Sequence, residues 1–389
     1  MMLPPLSLYI HTPWCIKKCP YCDFNSHTFE VLPEEAYLKA LLQDLTFDQP
    51  FIQGRLIESI FIGGGTPSVM SGDFYQKLFT ALSNKVRYAD NIEITLEANP
   101  GTIEAQKFKA YFQAGINRLS IGVQSFNDHQ LKTLGRIHSA SEAKKAIVTA
   151  NEAGFNNFNL DLMYALPKQN EEEALADLNT ALDFNPTHLS WYQLTIEPNT
   201  YFHRYPPKQL PEEECVFDIE QKGRALLAQH GLNRYEVSAY AKANSASKHN
   251  LNYWTFGDYI GIGAGAHSKI TLPDEKKIIR FSKTRMPKDY LNTAHKLIIE
   301  HKNPFSGVIE TVQQDDIAGE FFMNALRLQE GVSLNFFEEY TGISVDTVQD
   351  KIEVMIKKGL IQLENNHIKT TQRGYDLLNS VVSSFFDHA

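Results

Sequence analysis

The segment LYIHTPWCIKKCPYCDF, running from Leu8 to Phe24, decides the reading. It starts inside a β-rich run, Leu6–Ile10, and leads at once into Cys15, Cys19 and Cys22, three cysteines within eight positions. The fourth cysteine, Cys215, lies far away on a predicted helical face with Val216, Ile219 and Leu226, where it reads as a small buried hydrophobe. Scattered core cysteines do not cluster like the other three, and four in 389 residues are too few for a disulfide scaffold. Three thiolates on one tight loop can hold three irons of a [4Fe-4S] cluster, which leaves the fourth iron open to a substrate or cofactor. The alternative is zinc, which normally takes four protein ligands, with His11 or His27 as the fourth.

Working outward, further β-rich runs occur at Ser59–Ile62, Asn91–Leu96, Arg118–Val123, Asn157–Met163, Leu189–Ile196 and Tyr235–Tyr240. Helical periodicity fills most of the gaps, at Glu34–Leu45, Gly72–Leu82, Thr102–Ala114, Ser141–Ala153 and Glu171–Leu182. Alternation at this spacing predicts βαβ units on a parallel sheet, and the number of units favours an α/β fold built as a partial (β/α) barrel. Active sites of such barrels form at the carboxyl ends of the strands. Gly63–Gly65, Glu97, Gln124 and Asp161 fall there, although any one of them alone would read as turn punctuation.

From about Phe305 the alternation stops. Ile317–Leu328, Ser333–Tyr340 and Thr347–Lys358 read as helices, and Leu360–Leu363, Asn365-Asn366 and Ile368–Thr370 as a hairpin. This outlines a small α+β winged-helix-like domain, so the expected organisation is a barrel over 1–300 and this domain over 301–389. Residues 305–389 hold 6 Lys+Arg against 13 Asp+Glu, a net of −7 out of −9 for the whole chain. An acidic module cannot neutralise phosphates by counter-ion release, so no nucleic-acid partner is expected. Tyr201–Pro211, with three prolines, reads as a connecting loop. No stretch approaches the roughly 18 apolar residues of a membrane span, and Met1–Trp14 lacks signal-peptide character. The expectation is a cytoplasmic protein without an integral membrane segment.

The Cys-x3-Cys-x2-Cys spacing after a first strand resembles the radical S-adenosylmethionine (SAM) superfamily. The resemblance implies that the open iron is chelated by SAM, and that an electron from the cluster cleaves SAM to a 5′-deoxyadenosyl radical. Phe61-Ile-Gly-Gly-Gly-Thr66-Pro67 is similar to the superfamily's glycine motif, whose backbone approaches SAM without a Cβ clash. Closer still, Leu8–Cys15, Cys19–Ser26, Ser120–Ser125 and Leu160–Met163 resemble the oxygen-independent coproporphyrinogen dehydrogenase family, including its heme-chaperone members. That resemblance runs from about Leu6 to the C-terminus. It implies that Cys15, Cys19 and Cys22 ligate the cluster, and that Tyr9, Gly64 and Glu97 contact its SAM. It also implies that Tyr21, Gly65, Thr66, Gln124, Arg136 and Asp161 line a second SAM site or a neighbouring pocket. Arg136 suits a carboxylate and Asp161 an amino group.

Two departures favour the chaperone branch over the enzyme. The dehydrogenase has a fourth cysteine where this chain has Phe24, and it has an extension where here five residues precede Leu6. A third feature points the same way: His249-Asn-Leu-Asn-Tyr-Trp254 resembles a heme-associated motif of the chaperones, which makes His249 a heme-ligand candidate. The alternative is a buried loop with a satisfied histidine. The expectation is a heme carrier with a [4Fe-4S] cluster and SAM, serving an unidentified acceptor protein. The alternative reading is coproporphyrinogen III decarboxylation. Gly261-Ile-Gly-Ala-Gly265 lacks the spacing of a dinucleotide fingerprint, and the family resemblance implies that its backbone lines the SAM adenine; His267 beside it reads as structural.

Overall fold

The computed structural model describes residues 1–101, 105–294 and 303–386. Strand β1 (Leu6–Thr12) shows how the sheet is built. Leu6, Leu8 and Ile10 join the main apolar core. Ser7, Tyr9 and His11 make their contacts on the opposite face, through the Ser59 hydroxyl, the Phe61 ring and the Asn25 carbonyl. Such strands, covered on both faces, are characteristic of parallel sheets wrapped by helices. The strands that follow are β2 (Ile57–Gly64), β3 (Tyr88–Ala98), β4 (Arg118–Gln124), β5 (Phe158–Tyr164), β6 (His188–Gln193), β7 (Ala239–Ala241), β8 (Asp258–Ile262), β9 (His267–Leu272) and β10 (Lys277–Ser282).

Helices α1 (Glu34–Asp48), α2 (Gly72–Ser83), α3 (Phe108–Gln113), α4 (Ala140–Glu152), α5 (Glu171–Leu182) and α6 (Glu213–Gln229) fall between strands, as the periodicity predicts. Their starts are written locally. Ser139 with Glu142, and Asn170 with Glu173, form reciprocal capping boxes at α4 and α5. The helix expected from Thr102 begins in part outside the described residues.

The strand order is β10-β9-β8-β1-β2-β3-β4-β5-β6-β7, with short edge strands at Glu310–Thr311 and Asn233–Arg234. From β8 through β6 the neighbours run parallel, while β7, β9 and β10 are antiparallel additions. The sheet has two free edges, so this is a partial barrel of the α/β class. The strands after β6 differ from expectation, and β8, β9 and β10 lie in none of the expected runs. The run at Tyr235–Tyr240 contributes only Ala239–Ala241, antiparallel to β6. The last parallel strand is Asp258–Ile262, which crosses back to lie beside β1. Its Gly261 dilutes the apolar signal, and for a packing reason: a Cβ there would stand 2.1 Å from the His267 carbonyl oxygen.

Tyr201–Pro211 is also not wholly loop. Thr200 accepts a hydrogen bond from the His203 amide, and Tyr201–Arg204 forms one helical turn on that cap. The buried Phe202 of this turn donates its amide to Pro20 of the cysteine loop at 2.9 Å.

Beyond α7 (Lys248–Trp254) and α8 (Pro287–Thr293), the C-terminal module contains α9 (Gln314–Ala325), β11 (Val332–Ser333), α10 (Leu334–Thr341), α11 (Gln349–Lys357), β12 (Ile361–Glu364) and β13 (His367–Thr370). Asn365 and Asn366, at φ 50° and 60°, form the two-residue turn of the predicted hairpin. Phe321, Phe322, Phe337, Ile352 and Ile368 build a second core, onto which Leu251 and Trp254 of α7 pack. The expected division at 300/301 lies outside the described residues.

Candidate cluster and cofactor site

The cysteine loop is zipped to the glycine motif by backbone alone. The Gly65 amide donates to the Thr12 carbonyl and the Thr66 amide to the Trp14 carbonyl, both at 2.7 Å. A Cβ on Gly65 would meet those same carbonyl oxygens at 2.9 and 2.6 Å, and one on Gly64, whose φ is +112°, would meet the His11 ring. Only glycine allows this approach. The far end of the loop is held by Asn25, whose side-chain amide donates to the Ala264 and Arg285 carbonyls at 2.9 Å each. Asn25 was not singled out in the sequence. Its signal is its position three residues past the last cysteine of a loop that must be closed.

Cys15, Cys19 and Cys22 are unbridged thiols that line one cavity of about 350 Å³ together with Tyr21, Gly64, Gly65, Thr66, Glu97, Gln124, Arg136 and Asp161. Every cluster and SAM candidate lines this cavity except Tyr9 and the Gly261–Gly265 stretch, of which Tyr9 and Gly265 line a neighbouring cavity. Thr66 Oγ1 donates to Cys15 Sγ at 3.3 Å, and Arg136 Nη1 lies 3.6 Å from Cys19 Sγ. A hydroxyl and a guanidinium aimed at sulfur favour thiolates. Burial pushes the Cys15 and Cys22 thiols up, while Thr66 at the first and the Phe24 amide at the second pull them back. Among the described residues no three His, Cys, Asp or Glu side chains converge on a single ion. His11 bonds to the Tyr9 hydroxyl and the Asn25 carbonyl through its two ring nitrogens, and His27 bonds to Asn25. With both ring nitrogens of His11 engaged, three thiols remain on this loop, one short of the four protein ligands of a structural zinc site and the number that suits a cluster with one open iron.

Glu97 ends β3 and accepts from the Gly64 amide at 3.1 Å. Burial first, and the nearby Asp161 second, push its carboxyl up to about 8. A protonated carboxyl offers both a donor and an acceptor, which suits a diol. Asp161 is also raised by burial, against hydrogen bonds from Ser120 and Asn159 at 2.9 and 2.8 Å. Gln124 sits at φ +69°, where the register slips between β4 and β5, and accepts from the Tyr192 hydroxyl at 2.9 Å. Arg136 lines the cavity with its guanidinium already engaged. It donates to Asn99 at 2.6 Å and to the Gly122 carbonyl at 2.8 Å, bracing the cysteine loop against β4. Asn99 in turn donates to Thr66 at 3.1 Å. Asn99, Asn159, Ser190 and Tyr192 carry no motif; the barrel's register alone collects them beside Ser120, the first residue of the 120–125 motif.

Tyr9 lies around the corner. With Gly64 and Glu97 it lines a second cavity, on the β8–β9 side. His249 is on α7, a helix and not a loop, and its side chain is 2% exposed or less by residue. Its Nδ1 pairs with the Ser59 hydroxyl and its Nε2 with the Tyr253 hydroxyl, each at 3.1 Å. The ring stacks on Phe61 at 5.0 Å. Burial, with Arg118 nearby, lowers its pKa to about 3, so the imidazole is neutral. Glu93 caps α7 by accepting from the Lys248 amide at 3.0 Å, which fixes the helix against the sheet. Cys215 packs on the barrel core from α6 and does not line the cluster cavity.

Comparison with known proteins fits this arrangement. Residues 9–181 match the radical SAM superfamily and residues 312–377 the HemN C-terminal domain. The structure is similar to that of coproporphyrinogen III oxidase from Escherichia coli, with a TM-score of 0.82 over 100% of this chain and 91% of that one, at 24% identity. That likeness establishes the fold. Full-length relatives named heme chaperone HemW are 51% identical in Haemophilus influenzae, 48% in Escherichia coli and 35% in Bacillus subtilis, covering 97–98% of this chain and 98% of each relative. With three cysteines on the first barrel loop and that extent of identity, the chain belongs to the HemW family of radical SAM proteins.

Proposed function

We propose that this protein is a heme chaperone, binding heme and handing it to an acceptor protein, with a SAM-coordinated [4Fe-4S] cluster as a resident group. The observation that carries this reading is the near-complete match to relatives named heme chaperones. The site agrees in one particular: three thiols line the cavity, and Phe24, 57% exposed at its mouth, stands where the enzyme branch has another cysteine.

Cys15, Cys19 and Cys22 hold three irons in this reading. Tyr9, Gly64 and Glu97 flank the SAM on the fourth. When bound, cluster and SAM together supply one-electron chemistry at a sulfonium. The chain's own groups bind and orient. Gly64 and Gly65 let the backbone close on the ligand, Glu97 takes the ribose hydroxyls, and Thr66 and Arg136 hold charge on sulfur. Tyr21, Gln124 and Asp161 form the adjoining wall of the same cavity, where the resemblance puts a second polar ligand. The barrel unit, expected over 1–300, extends to the edge strand Glu310–Thr311, and the winged-helix-like unit follows it to residue 389, a division supported by the family matches falling on either side. No helix among the described residues is long and apolar enough to cross a membrane. Three free thiols suit the reducing cytoplasm, where we place the protein.

Two anaerobic incubations of the cluster-loaded protein test the reading. With heme, the expected result is heme retained through gel filtration. With coproporphyrinogen III, SAM and a reductant, no protoporphyrinogen is expected. Product without retained heme would replace the chaperone by the dehydrogenase.

A further inference from the structure

The cavity wall at Asp161 is one end of a chain of hydrogen bonds that leaves the site. Asn159, two residues back on β5, donates from Nδ2 to Asp161 Oδ1 at 2.8 Å. Its Oδ1 meets His188 Nδ1, on the neighbouring β6, at 2.7 Å. His188 Nε2 meets the Tyr235 hydroxyl at 2.9 Å, and that hydroxyl meets Asn250 Nδ2, on α7, at 3.3 Å. Asn159 and His188 are buried, and neither they nor Tyr235 line the cluster cavity or the one beside Tyr9. Tyr235 faces two ways. Its hydroxyl lies in the chain, while its carbonyl accepts from the Gln329 amide of the C-terminal module at 2.9 Å and its side chain packs on that module's core.

The donors all point one way. An ionised Asp161 only accepts, so Asn159 turns its amino group towards it and its oxygen towards His188. Burial, with Arg118 nearby, keeps the His188 pKa well below its ordinary value, so the ring is neutral. Its one hydrogen belongs on Nδ1, because the Asn159 oxygen needs a donor there. Nε2 then accepts from the Tyr235 hydroxyl, which accepts in turn from Asn250. The Ser120 and Ser190 hydroxyls donate in the same sense, to Asp161 Oδ2 at 2.9 Å and to Asn159 Oδ1 at 3.2 Å. Hydrogen bonds aligned head to tail in a low-dielectric interior strengthen one another.

We propose that this chain couples the cavity to α7: an ammonium-bearing ligand at Asp161 tightens the hold of Tyr235 on Asn250, and with it the seating of α7 and the C-terminal module, with His188 as the positioning residue between them. The inference rests on the cofactor reading of the cavity and adds a consequence of filling it. Burial disfavours the Asp161 charge, against the hydrogen bonds of Ser120, Asn159 and Ser190. A cation beside the carboxyl restores that charge, and a hydrogen bond to an ionised acceptor is roughly twice as strong as one to a neutral acceptor. The gain passes to each donor in line up to Asn250. Asn250 belongs to the 249–254 stretch that resembles a heme-associated motif, so filling the cavity is felt where the resemblance places heme.

A second contact reaches α7 from the cofactor side, because the Tyr9 ring stacks on His249 at 6.4 Å. The test therefore breaks the chain and leaves that contact alone. Amide hydrogen exchange of residues 247–256 is measured in the cluster-loaded protein with and without saturating SAM. In wild type, SAM should slow exchange about fivefold or more. Tyr235→Phe removes one hydroxyl, keeps the ring and should lose most of that slowing, and Asn250→Ala at the far end should do the same. Unchanged cluster absorbance confirms that each variant is folded. A merely structural Tyr235 would speed exchange equally with and without SAM. A wild-type ratio in Tyr235→Phe, or SAM bound by wild type without slowing at α7, overturns the proposal and leaves the cofactor reading standing. If equilibrium dialysis shows that wild type binds no SAM, both fall.

Discussion

Glu97 Oε2 accepts a hydrogen bond from the Gly64 amide at 3.1 Å, which ties the end of one barrel strand to the glycine motif of its neighbour. The pairing places a buried carboxyl, displaced from 4.5 to about 8, where the resemblance puts the SAM ribose. Between those values the unfolded chain is ionised at Glu97 while the folded chain holds the proton. The stabilising contribution is therefore full below about pH 4.5 and declines as pH rises to about 8. Glu97→Gln should flatten this decline. Between about pH 5 and 8 the change in melting temperature of the apoprotein should be shifted upward in the variant relative to wild type; Asp48, Asp161, Asp177 and Glu236, raised by burial, act in the same direction as Glu97, and His11, His138, His188 and His249, lowered by burial, act against it in both proteins. Equal slopes would show that Glu97 does not hold the proton.

Gly65→Ala pushes a methyl group into the Thr12 and Trp14 carbonyls. Overpacking of this kind costs about 1–3 kcal/mol, and here the strain falls on the residue before Cys15. Iron and sulfide recovered after reconstitution should drop well below wild type, while the apoprotein retains its far-ultraviolet circular dichroism. Wild-type cluster content would mean that the loop does not depend on this approach.

The cysteine loop, the glycine motif and Glu97 were legible because their chemistry depends on residue type and spacing. Strand–helix alternation was legible for the same reason, down to α5, whose expected bounds match the structure. Asn99, Asn159 and Ser190 were not, because common polar residues become a site only when the register of β3 through β6 stacks them. β8 was hidden by Gly261 and by a crossover that joins residues 6–10 to 258–262. His249 was placed on a motif, but its environment is set by Ser59, 190 positions away.

Arg136→Lys keeps the charge and loses the fork. One ammonium cannot at once serve Cys19, Asn99 and the Gly122 carbonyl. The cluster in this variant should bleach faster in the presence of an iron chelator. An unchanged bleaching rate would show that Arg136 does not brace the loop.

Lys283 is fully buried and bridges Asp44 at 2.7 Å and Asp48 at 2.5 Å, joining β10's end to α1. Burial pushes the Asp48 carboxyl up to about 6 even with that ammonium opposing it. Lys283→Met leaves two carboxylates without their cation and should cost about 3–5 kcal/mol, read as a lower urea midpoint. A midpoint within about 0.5 kcal/mol of wild type would contradict the assignment.

The central claim is that this chain is a heme carrier built on a cluster-binding barrel. Its most direct test is the absorbance titration of the anaerobically reconstituted wild-type protein with heme. The account predicts a Soret change that saturates at a fixed ratio of heme to chain. A change that grows without saturation, as free heme gives in buffer, would contradict it.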